Sequence, residues 1–220
     1  MKFRPSKHVS LPKKYILLLG AIILGLGLTL YRLQPKPDKH QPVSFNSLPI
    51  TYSTDTPDEN KPANDYKWSG KPEEPKYIRL STIQTEGFIQ TVGVDQHKQV
   101  AVPDNIHIAG WFKDSVRPGE QGLSIIDGHV DGRKERGIFK RLIELKQNDE
   151  FKVEMGNSRT KTFRVMKVVS VEVKDAANVL FSQDPSIKNQ LNLITCGGNF
   201  NQQSGQYNNR IIVISELVSH

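Results

Sequence analysis

Cysteine is nearly absent from this chain: there is one, Cys196, in 220 residues. An internal disulfide is therefore excluded, and with scattered histidines and no paired ligand spacing so is a structural zinc cluster. No concentrated acidic loop is present, so neither a calcium site nor any other metal or cofactor is expected. Acidic residues are missing from the first fourteen positions, which carry Lys2, Arg4, Lys7, Lys13 and Lys14. A basic stripe interleaved with aromatics is missing too, which argues against a nucleic-acid partner. No internal repeat is visible.

Among the apolar runs one stands apart: residues 15–31, YILLLGAIILGLGLTLY, are uncharged and apolar on every face. At 1.5 Å per residue a helix of this length spans roughly 25 Å, against a hydrocarbon core of about 30 Å. Tyr15 and Tyr31, with Lys13, Lys14 and Arg32 just outside, reach the two interfaces and make up the difference. No small-residue cleavage pattern follows Leu30, so the run is expected to be an uncleaved anchor in membrane lipid rather than a signal peptide. The basic tail, residues 1–14, then stays in the cytoplasm and everything after Tyr31 is exported. The net charge of +7 follows from that topology: five positive charges lie in the tail, and residues 76–220 carry nineteen basic against sixteen acidic groups.

Eight of the thirteen prolines fall in residues 33–75, among Asp, Lys, Asn, Ser and Thr and without apolar periodicity. Residues 32–75 are expected to be an extended tether, with Tyr66 and Trp68 able to dock on the domain that follows. From residue 76 short runs recur: YIRLSTI, GFIQTVGV, QVAV, IHIAGWF, LSIIDGHV, EFKVEM, KTFRVMKVVSVEV, LNLITC and RIIVISELV. Rich in Val, Ile, Thr and Phe and broken by Gly, Pro, Asn or Asp, they read as strands, with MGNSRTK as a hairpin connection. GIFKRLIELK and DAANVLFSQ read as short helices. Many short strands with few helices predict a mainly β fold, a closed barrel or a sandwich, over residues 76–220.

A lone thiol in an exported domain is there for packing, for intermolecular pairing or for reactivity, and a reactive one needs a proton acceptor and a cation or donors for a developing oxyanion. Of six histidines, His8 lies in the tail, His40 in the tether and His220 at the end of the chain. His97 sits in a polar turn. His107 alternates with Ile106 and Ile108 and reads as a structural strand residue. His129 follows an apolar strand in SIIDGHVDG, at the mouth of a sheet beside a glycine. Cys196 follows LNLIT and precedes two glycines, where a sharp turn is expected. Arg210 opens RIIVIS, and its strand is expected to pair with the one ending at Cys196, so the two would face each other.

These residues resemble the sortases, cysteine transpeptidases of the Gram-positive cell surface. The resemblance covers residues 77–220 and rests on SIIDGHVDG, LITC and an arginine fourteen residues past the cysteine. The family's T-L-x-T-C signature is reduced, with Asn192 in place of the first threonine, and its GD-type turn is Asn148-Asp149. The G-H-x-D pattern with a compact domain is most similar to class F. The resemblance implies an eight-stranded sortase barrel behind an N-terminal anchor. It implies that Cys196 attacks a Leu-Pro-x-Thr-Gly-type sorting motif to give a thioacyl enzyme, that His129 is acid and then base, and that Arg210 holds substrate and stabilises the oxyanion. Its partners would be sorting-motif-bearing surface proteins and an amine of a peptidoglycan precursor or a pilin. The alternatives are an L,D-transpeptidase, whose Ser-His-Gly-Cys run is missing here, and a tethered binding module whose cysteine only packs.

Overall fold

The computed structural model describes residues 51–52, 57–95 and 99–219. The expected tail, the expected anchor and the tether as far as residue 50 lie outside the described residues, as do His8, His40, His97 and His220. Among the described residues no helix is long and apolar enough to cross a membrane.

Eight strands close into a barrel: β2 (Pro75–Leu80), β3 (Thr85–Val92), β5 (Ala109–Phe112), β6 (Gly122–Asp127), β7 (Glu150–Met155), β8 (Thr160–Glu172), β9 (Asn189–Asn201) and β10 (Gln206–Ser219). Their order around the barrel is β10-β8-β7-β2-β3-β5-β6-β9. The pairs β3–β5 and β6–β9 are parallel and the rest antiparallel. A two-residue parallel pair, β1 (Thr51–Tyr52) with β4 (Gln99–Val100), lies outside it. The mainly β content is the one the strand patterns predict, and the closed eight-stranded barrel, rather than a sandwich, is the one the resemblance implies.

Strand patterns follow from which faces are covered. In β7, Phe151, Val153 and Met155 point inward while Glu150 and Lys152 face solvent, so the sequence alternates. In β6, in β9 from Gln190 to Thr195 and in β10 from Arg210 to Val213 both faces are buried. Ile126, Leu191, Leu193, Ile211 and Val213 fill the barrel. Leu123, Ile125, Ile194 and Ile212 form a second apolar layer with Phe112 and with Leu180 of helix α1 (Val173–Leu180). This is why LSIID, LNLIT and RIIVIS read as continuous apolar runs.

Three expectations are corrected. The glycines after Cys196 do not end its strand: β9 continues to Asn201 and the hairpin turns at 202–205. Gly198, at φ +75°, instead accommodates a bulge in which Asn208 Oδ1 accepts the N–H of Asn199 at 2.8 Å. GIFKRLIELK forms only one 3-10 turn, Leu142–Glu144. Its leading N–H groups are used elsewhere: Gly137 donates to Val130 O, Ile138 to Ile106 O and Phe139 to His129 O. The segment thus plugs the barrel end with Phe139 and Leu142 rather than winding as a helix. Ile106 and His107 precede β5 rather than forming part of it.

From Pro57 onward the segment before β2 is laid against the barrel, with Tyr66 and Trp68 docked as the sequence allowed. Trp68 Nε1 donates to Pro75 O at 3.2 Å, Tyr66 packs on Phe88 with ring centres 5.7 Å apart, and Asp58 N–H donates to Asp104 O at 2.6 Å.

Candidate active site

Cys196 of β9 and Arg210 of β10 are direct cross-strand partners. Opposite residues of an antiparallel pair share a face with Cβ atoms about 4.5–5.5 Å apart, so thiol and guanidinium are neighbours. Arg210 does not open its strand. It is the fifth residue of β10 and is 1% exposed, with Nη1 donating to Asn209 O at 2.9 Å and to Tyr207 O at 3.2 Å. Those carbonyls flank the bulge, so Arg210 clamps the hairpin while keeping its charge beside the sulfur.

His129 is brought in by the parallel neighbour. β6 lies against β9, Gly128 N–H donates to Ile194 O, and Thr195 Oγ1 donates to Gly128 O at 2.7 Å. These bonds tie the residue before the histidine to the residue before the cysteine. His129 and Cys196 then line one cleft of about 430 Å³, together with Pro57, Asp131, Phe200 and Tyr207. His129 Nε2 is 2.7 Å from Pro103 O, and because a carbonyl only accepts, Nε2 carries a hydrogen. In the neutral imidazole Nδ1 is then the basic nitrogen.

Burial pushes the Cys196 thiol above its ordinary range, and the Arg210 charge opposes this without overcoming it. At neutral pH the resting sulfur is therefore a thiol that must hand on a proton before it can attack. Tyr207, pushed up to about 12 by burial and then by Asp131, remains a donor throughout the physiological range. Its hydroxyl donates to Asp131 Oδ2 at 3.1 Å. The backbone at the histidine is held from behind: a Cβ on Gly137 would stand 2.2 Å from His129 O and 2.4 Å from its carbonyl carbon. Gly137→Ala is expected to unseat His129 and lower catalytic turnover by about 10²-fold. Comparing peptide-cleavage rates with thermal melts checks this, since a change in melting alone would contradict it.

Asp127, two residues before His129, is fully buried, and among the described residues neither carboxylate oxygen meets a hydrogen-bond partner of normal geometry. Burial raises its pKa well above the carboxylate range, and the N–H of Gly110, across the strand, offsets this only in part. Such a group keeps a proton that the unfolded chain releases. Its stabilisation is complete below an unfolded pKa near 3.9 and is lost as pH rises. Asp127→Asn, always neutral, should therefore gain in melting temperature on the unsubstituted protein between about pH 4 and pH 7. An equal offset at both pH values would contradict that reading.

The structure thus gathers the three residues singled out in the sequence, with His129 and Cys196 on the cleft and Arg210 buried behind the thiol. Sequence reasoning noted Asp131 only within the G-H-x-D pattern, without a role, and missed Tyr207. The available signals were the acid two residues after His129 and the only aromatic between Phe200 and Arg210.

The barrel thus carries a cysteine and an arginine on adjacent antiparallel strands, with a histidine just past the end of the neighbouring parallel strand. Residues 73–218 match the family model for the Sortase domain, and the chain belongs to that family. Among solved structures it resembles a lid mutant of sortase A from Corynebacterium diphtheriae, at 22% identity and a TM-score of 0.53, covering 69% of this chain and 73% of that one. It also resembles sortase C of Streptococcus pneumoniae, at 19% identity and 0.52, covering 69% and 72%. At such identities the likeness is one of fold. No curated protein sequence matches the chain.

Proposed function

We propose that this protein is a membrane-anchored cysteine transpeptidase that cleaves a sorting motif of the Leu-Pro-x-Thr-Gly kind and joins the new carboxyl end to an amine. The observation that carries this reading is the pairing of Cys196 with Arg210 across β9 and β10, with His129 on the same cleft. Cys196 gives its proton to Nδ1 of His129 and attacks the peptide carbonyl. The oxyanion develops in the field of Arg210, which sits opposite the sulfur. The imidazolium then protonates the leaving amine, and a thioacyl enzyme remains. A second amine gives its proton to His129, attacks the thioester and releases the thiol.

Anchoring by residues 15–31 would hold the enzyme at the outer membrane face, where secreted substrates and wall or pilin amines are concentrated. The Gly128-His129-Val130-Asp131 sequence aligns the chain with the class F group. A tethered binding module is disfavoured by the position of Cys196, which lines a cleft rather than the core. Incubation with fluorogenic peptides of this motif and a primary amine, followed by product analysis, tests the proposal. Cleavage before the glycine with formation of the new amide is expected. Cleavage at unrelated bonds, or none with any peptide, would overturn it.

A further inference from the structure

The cleft contains a carboxylate that the steps above do not use. Asp131 lines it beside His129, and its side chain is 22% exposed. Its Oδ2 accepts the Tyr207 hydroxyl from β10 and also binds the ammonium of Lys140, a lysine 41% exposed. A carboxylate whose Oδ2 is fixed by a permanent phenol donor and already holds a primary ammonium is built to receive an alkylammonium. We propose that Asp131 is the docking point for the ammonium of the acceptor amine, which displaces Lys140. This rests on the transpeptidase reading and names the group that recognises its second substrate.

Chemistry and geometry agree with this role. An acceptor amine is protonated in water and must be held close to the base that will deprotonate it. Asp131 is two residues from His129 and lines the same cleft as Cys196. Once docked, the ammonium yields one proton to His129 Nδ1. The free amine forms the C–N bond as the C–S bond breaks, the thiolate recovers the proton from His129, and the remaining amine proton leaves to solvent. Displacing Lys140 costs little, because ion pairs this exposed are weak. Arg133, also on the cleft, would repel an ammonium, but its backbone and that of Lys134 are bound by the Glu59 carboxylate, which places a compensating negative charge there.

The test uses the full-length chain and reads the ratio of amide to hydrolysis product formed from one thioacyl enzyme, so that any change in acylation cancels. The acceptors are triglycine, which offers a terminal amine, and Nα-acetyl-lysine amide, which offers a side-chain amine. The larger response assigns the source. Asp131→Asn should lower the ratio about tenfold, and Lys140→Met should raise it two- to threefold. An unmoved ratio in Asp131→Asn, or a change of the same sign in both variants, would overturn the proposal and make the carboxylate a structural tie. If Asp131→Asn does not fold, Lys140→Met decides alone, with an unchanged or lowered ratio counting against it. Absence of any thioacyl adduct in the unsubstituted protein removes the transpeptidase reading itself. An adduct with an unmoved ratio removes only this one.

Discussion

Cys196→Ala is expected to reduce peptide cleavage to the uncatalysed background, a loss on the order of 10⁴–10⁶, while leaving the fold intact. The fold should survive because the residue is half-buried at the cleft and no described strand bond passes through its side chain. Deleting the sulfur removes the only thiol in the chain and with it every thioacyl route. The same variant addresses pH. Because burial lifts the folded-state value of the thiol, its contribution to stability is complete below an unfolded value near 8.5 and declines at higher pH. The alanine variant should lose less melting temperature between about pH 8 and pH 10 than the unsubstituted protein. Residual cleavage within tenfold of the original rate would exclude Cys196 as the nucleophile.

The second large effect is expected at Arg210. Removing a cation placed where an oxyanion forms costs on the order of 10²–10³ in rate. Here a structural loss is added, since Arg210→Ala leaves the carbonyls of Asn209 and Tyr207 without their donor. Each such half-buried hydrogen bond contributes about 0.5–1.5 kcal/mol. Arg210→Lys keeps a charge but not the planar fork that reaches Asn209 and Tyr207 while facing the sulfur. It should therefore recover part of the stability and less of the rate. Cleavage assays beside urea unfolding separate the two effects. Equal and full recovery of both by lysine would show that only charge near the hairpin matters.

How far the sequence reaches depends on which interactions are local. The pairing of Cys196 with Arg210 could be read because both lie on one hairpin, joined by a polar loop between two apolar runs. That those runs are unbroken reflects burial on both faces, with α1 covering the outside. The continuation of β9 past Gly197 and Gly198 could not be read. Two glycines normally signal a turn, and here one of them accommodates a bulge closed by Asn208. The plug segment misled for a similar reason: its apolar spacing is helical, but its N–H groups bond to Val130, Ile106 and His129, which are distant in sequence or set by the barrel. The burial of Arg210 and the link between Asp131 and Tyr207 depend on how the segment after β6 meets the end of the β9–β10 hairpin, and no local pattern encodes that.

The most direct measurement of the central claim is the intact mass of the protein after brief exposure to a Leu-Pro-x-Thr-Gly-type peptide. An added mass equal to the acyl fragment is expected, mapped to Cys196 and absent from Cys196→Ala. That mass should disappear on addition of an amine as the amide product forms. An unchanged protein mass with every peptide tried, in folded protein whose Cys196 resists a small alkylating reagent, would contradict it.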